Sequence, residues 1–118
     1  MQLANGFGMS ETAEVRFLAY EKLSEEWAEA EANYEYLDDF KKAKIALLMQ
    51  SAERRGIKTT AAQEREALAD SSYHEVLRGK EVARERALLL KQKLKAMELR
   101  FEFWRTSQAT KRAEMVMR

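Results

Sequence analysis

The chain contains no cysteine and no proline, and it has only four glycines and a single histidine in 118 residues. Without cysteine there can be no disulfide framework, thiolate metal site or cysteine nucleophile. The one histidine, His74, leaves too few ligands for the usual zinc sites and no partnered base for a Ser-His-Asp arrangement. Average usage would put about six prolines in a soluble chain of this length. Their absence, in a sequence rich in Ala, Glu, Lys, Arg and Leu, is the composition of an almost wholly helical protein. No apolar run approaches the roughly 18 residues of a membrane span. The opening MQLANGFG lacks the basic start and apolar core of a signal peptide. These absences lead us to expect a cytoplasmic all-α protein that is not an enzyme. We expect no metal, no cofactor, no membrane contact and no small-molecule substrate.

The few breakers divide what is there. Gly6, Gly8 and the Asn5-Gly6 step favour a flexible N-terminus over residues 1–9. Ser10 is suited to cap a first helix, with Glu11 and Glu14 near the positive end of its dipole. No breaker follows until Arg54-Arg55-Gly56, where cations precede a glycine as at many helix C-termini. The first helix is therefore expected over about 10–55. Thr60-Ala-Ala-Gln63 has the form of a capping box before a short helix over about 61–69. Asp70-Ser71-Ser72 interrupts it, and Ser72-Tyr-His-Glu75 offers a second capping box before a helix over about 73–115. Residues 10–118 thus read as a single helical hairpin domain, coiled-coil-like, with a short connector helix.

Two seams run through the long helices. In the last helix, Ala83, Ala87, Leu90, Leu94, Met97, Phe101 and Trp104 alternate spacings of four and three. Leu23, Trp27, Ala30, Tyr34 and Leu37 do the same in the first. Folding the helices back symmetrically about the connector gives facing positions whose numbers total about 127. That register sets Leu23 against Trp104, Trp27 against Phe101, Ala30 against Met97, Tyr34 against Leu94 and Leu37 against Leu90. A second apolar stripe is left over, Phe17, Tyr20, Tyr36, Phe40, Ala43 and Leu47 in the first helix and Leu89, Ala96, Leu99 and Phe103 in the last, and its most prominent side chains are Tyr36, Phe40, Leu47, Leu89, Leu99 and Phe103. Two helices cannot bury both stripes, so these six residues are the candidate interface for a homo-oligomeric helical bundle or for another protein. Partial cover by the connector helix and the tail is the other reading.

The net charge of +1 conceals a polarity. Residues 11–40 sum to −8, residues 41–65 to +5 and residues 78–118 to +7. One consequence is helix pairing, with Glu21, Glu25 and Glu29 near Arg100, Arg105 and Lys95 or their neighbours. Another is DNA binding at the turn end and tail, with Lys41, Lys42, Arg54, Arg55, Lys58, Arg78, Lys80, Arg84, Lys111 and Arg112 as candidate contacts. The sequence pI of about 7.9 lies below the range above 9 that typifies dedicated nucleic-acid binders. The carboxylate pairs Glu25-Glu26 and Asp38-Asp39 read as a solvated helix face, since no histidine stands near them in the sequence.

The stretch Met97-Glu-Leu-Arg-Phe-Glu-Phe-Trp-Arg105, continuing through Ala109-Thr-Lys-Arg-Ala-Glu114, resembles a group of small all-helical proteins encoded by tailed bacteriophages. Met9-Ser10-Glu-Thr-Ala-Glu14, Ala61-Ala-Gln-Glu-Arg-Glu66 and Ala69-Asp70 match the same pattern, which spans most of residues 9–114. Asp70-Ser71-Ser72 departs from the more proline-containing cap of that group. The resemblance implies a setting beside phage DNA metabolism and recombination, in the bacterial host cytoplasm, without implying an activity. The expected function is that of a non-enzymatic accessory protein acting on a phage or host protein. Direct DNA binding and inhibition of a host defence complex are the alternatives.

Overall fold

The computed structural model describes residues 3–117, with side chains from residue 13 onward. The chain is an all-α hairpin of two long helices and a short one: α1 over Leu3–Arg54, α2 over Thr60–Ala69 and α3 over Ser71–Met117. The start of α1 at Leu3 differs from the expected start at Ser10, because extending an existing helix through Gly6 and Gly8 costs far less than nucleating one. Met1, Gln2 and Arg118 lie outside the described residues, as do the side chains of Ser10 and Glu11.

The end of α1 is a Schellman motif. The Ile57 N–H donates to the Ala52 carbonyl at 3.1 Å, and the Gly56 N–H donates to the Glu53 carbonyl at 3.0 Å. Gly56 takes φ 100°, a left-handed conformation that favours glycine. The next cap is Thr59, not Thr60: its hydroxyl oxygen accepts from the Ala62 N–H at 3.2 Å. Gln63, expected to reach back to the cap, instead donates from Nε2 to the Ile57 carbonyl at 2.8 Å and is buried. Its amide thereby closes the loop that reverses the chain.

Asp70 ends α2 and caps α3. Its backbone is extended, and its Oδ1 accepts from the Ser72 N–H at 2.8 Å and the Ser72 hydroxyl at 2.6 Å. The cap expected at Ser72 therefore falls two residues earlier, since a carboxylate is the stronger acceptor and adds charge at the positive helix end. The Ser72 hydroxyl and then its N–H hold the Asp70 carboxyl below the usual carboxylate range, with Lys44 and Arg55 adding to the effect.

Two compact units make up the chain. In the turn unit, Ala28–Leu88, the buried residues are mostly small: Ala30, Ala52, Ala67, Ala83 and Ala87, with Gln63 and Tyr73. Alanine at these positions lets helix backbones approach closely. The Asp70 carboxyl feels the charges of both Lys44 and Arg55. Facing pairs fix the register. Arg84 lies over the Tyr34 ring at 5.8 Å, and Lys80 Nζ meets Asp38 at 2.9 Å, and both pairs of numbers total 118.

The terminal unit joins the α1 residues through Trp27 to the α3 residues from Leu89 onward. Phe17 packs on Phe101 at 5.3 Å between ring centroids, and the Tyr20 hydroxyl donates to Glu98 at 2.7 Å. These pairs also total 118. The expected total of about 127 is therefore corrected in each unit. Phe101 meets Phe17 and Tyr20 rather than Trp27, and Tyr34 meets Arg84 rather than Leu94. The cause is the connector: the chain reverses at the Gly56 loop, and α2 belongs to the returning arm, whereas the expected register put the pivot in the middle of α2.

Candidate interaction groove

Both seams keep their residues on the inner side, but burial fades along α3. Leu90 and Leu94 are buried at 4% and 8% exposure; Met97, Phe101 and Trp104 beyond them are only half-buried. On α1, Leu23, Trp27, Tyr34 and Leu37 are half-buried as well. The reason lies in side-chain size. Two helices enclose the alanines and the central leucines of α3, but large aromatic rings need cover from a third side, and Leu23 and Leu37 on α1 stay half-buried with them. The Trp27 indole N–H shows the strain of this arrangement: it is shielded from water and has no hydrogen-bond partner among the described residues. Such a group typically costs about 1–3 kcal/mol.

The uncovered side of the terminal unit forms an open groove of ≈ 810 Å³. Phe17 and Phe101 form its floor where the two helices meet, and Leu99, Phe103 and Trp104 extend it along α3. Leu99 is 66% and Phe103 76% exposed. Arg16, Arg100 and Lys111 stand among the lining residues, which include no carboxylate. The groove therefore offers large apolar surface with positive charge of one sign, the chemistry of a site for an amphipathic anionic ligand.

Three of the six candidate interface residues, Leu89, Leu99 and Phe103, belong to this unit, and Leu99 and Phe103 line the groove. Tyr36, Phe40 and Leu47 lie on α1 in the turn unit, where Tyr36 and Phe40 stack at 6.0 Å. Tyr36 and Leu47 are exposed, and Phe40 is half-buried. Arg16 and Arg100 were not among the candidate residues. Their sequence signal is the Arg-Phe dipeptide at 16–17 and again at 100–101, which the register brings to one place.

The candidate nucleic-acid contacts are less uniform than their spacing implied. Lys41 and Lys80 both bind Asp38, at 3.4 and 2.9 Å, and Arg84 is held against Tyr34. The Lys80 ammonium hydrogen-bonded to Asp38 keeps that carboxyl below its ordinary range, and Asp38 in turn raises Lys80. Arg54 Nε donates to the Gln50 carbonyl at 3.4 Å. Lys42, Arg55, Lys58 and Arg78 are exposed in the turn unit, and Lys111 and Arg112 are exposed in the terminal unit. No ion pair joins Glu21, Glu25 or Glu29 to Arg100, Arg105 or Lys95 among the described residues. What faces Tyr20 instead is Glu98, and that hydrogen bond raises the Tyr20 hydroxyl above its ordinary range.

Among the described residues, no group of three histidine, aspartate or glutamate side chains is placed to hold a metal ion. His74 is exposed, with its ring edge near Tyr73 at 5.9 Å. Among the described residues, no helix is long and apolar enough to cross a membrane. The molecule is thus an all-α hairpin with an uncovered apolar, basic groove. Comparison with family models, curated proteins and solved structures finds no match.

Proposed function

We propose that this chain is a non-enzymatic interaction protein that acts by seating another helix in the groove of its terminal unit. The observation that carries this reading is the exposure of Leu99 and Phe103 beside half-buried Phe101 and Trp104, where a two-helix pairing leaves its aromatic edge uncovered. Covering such rings is worth roughly 1.5–3 kcal/mol per large side chain, enough for a handful of them to drive association. The setting proposed with it is that of the phage proteins the sequence resembles, beside DNA recombination or replication. The partner there is a second copy of the chain, a phage protein or a host protein.

The test is affinity capture from infected bacterial cells with the wild type and with Leu99→Asp/Phe103→Asp as parallel baits. The side chains are exposed, so the variant should keep its helical content and melting temperature. The expected result is a defined set of proteins held by the wild type and lost by the variant. Identical sets from both baits would refute the reading.

Direct DNA binding is favoured by one specific observation, the exposed Lys42, Arg55, Lys58 and Arg78 of the turn unit. Phosphate contacts of this number predict binding that weakens steeply with salt. Charge reversal at Lys42 and Arg55 should abolish a low-salt mobility shift, and no shift by the wild type at low salt would rule this reading out.

A further inference from the structure

We infer that the groove of one molecule takes the outer face of α1 from a second copy of the same chain. This rests on the groove being an interaction surface and adds the identity of its occupant. The groove presents Phe17, Leu99 and Phe103 with three cations, Arg16, Arg100 and Lys111. An occupant of matching chemistry is a helix with a smooth apolar ridge flanked by carboxylates. On α1, Ala28, Ala32 and Tyr36 recur every fourth residue, flanked by Glu29, Glu35 and Asp39, and all six are exposed. At 3.6 residues per turn they share one face, opposite the seam that carries Ala30, Tyr34 and Leu37.

Size and charge agree in this pairing. The large side chains of the groove meet alanines, which let the helices approach, and three cations meet three carboxylates. Residues 23–40 contain no lysine or arginine at all, so no like charge interrupts the match. The intramolecular fold does not consume these carboxylates: among the described residues, the ion pairs of this stretch involve Asp38 alone. Groove against groove is the disfavoured arrangement, because it would set the three cations of each copy against those of the other.

The experiment is sedimentation velocity on the full-length protein across a concentration series, at low and moderate salt. Wild type should self-associate, and salt should weaken the association. Two variants are compared, Arg16→Glu/Arg100→Glu/Lys111→Glu in the groove and Glu29→Lys/Glu35→Lys/Asp39→Lys on the outer face. Each alone should associate about tenfold or more weakly than wild type. Mixed together they should recover association, because the reversed charges again match. Circular dichroism identifies any variant that fails to fold. In that case the single reversals Arg100→Glu and Glu35→Lys, together with the salt dependence of the wild type, decide the same question. A monomeric wild type, association indifferent to salt, or a mixture no tighter than its components would each overturn the second-copy assignment. The groove reading itself is judged separately, by capture that depends on Leu99 and Phe103.

Discussion

Replacing Ala87 by leucine tests how closely the helices approach in the turn unit. Ala30 and Ala87 are 5% and 3% exposed, and the pairs Tyr34–Arg84 and Asp38–Lys80 set the Ala30 turn of α1 across from the Ala87 turn of α3. Leucine adds three carbons. If the interface held space for them, their burial would stabilise the protein by roughly 2 kcal/mol at about 0.8 kcal/mol per methylene. With small residue against small residue there is no such space. The added atoms must then part the helices or leave their rotamers, which costs about 1–3 kcal/mol. The two cases differ in sign, so the measurement decides between them. Urea denaturation followed by circular dichroism should give a lower midpoint for Ala87→Leu with an unchanged slope. Ala96→Leu, at an exposed position of the same helix, should stay within about 0.5 kcal/mol of wild type. Combining Ala30→Leu with Ala87→Leu should depart from additivity by about 0.5 kcal/mol or more, as contacting sites do. An Ala87→Leu protein as stable as wild type would refute close approach at this level.

Further consequences follow from the caps and the paired charges. Gly79 sits inside α3 with nothing within 4 Å of an added Cβ, so Gly79→Ala should stabilise by about 1 kcal/mol in thermal or urea unfolding. Gly56→Ala should destabilise by about 1–2 kcal/mol, because Gly56 holds φ 100°. Equal effects of the two would contradict the Schellman assignment. The pH profile has a defined form. Asp38 and Asp70 have carboxyls held below their unfolded value, so their contribution is present above about pH 4 and is lost as the pH falls through the lower folded values. Tyr20 and Lys80 are shifted upward, so their contribution is present below about pH 10 and is lost as the pH rises through the folded values. Melting temperatures should therefore plateau between these limits. Asp70→Asn, which keeps a capping oxygen, should flatten the acid limb.

The fold was legible wherever local rules act alone. Missing proline and the four-and-three spacing announced the long helices, and Arg54-Arg55-Gly56 announced where the first one stops. Register was not legible, for a physical reason. A seam repeats, so sliding one helix past the other along it still lays apolar residues on apolar residues. Only the path of the connector selects among the slides, and that path depends on Gln63 binding the Ile57 carbonyl and on Asp70 capping α3 beside Lys44 and Arg55. Neither role has a spacing signature. The same slide decided part of what the groove contains. In the expected register Phe101 would have met Trp27 and been covered. In the observed register it meets Phe17 and Tyr20, which bring Arg16 alongside, next to Leu99 and Phe103, which lie off the seam in either register. The groove thus has two origins: register joins Arg16 and Phe17 to Arg100 and Phe101, whereas the exposed Leu99 and Phe103 follow from helical spacing along α3 alone.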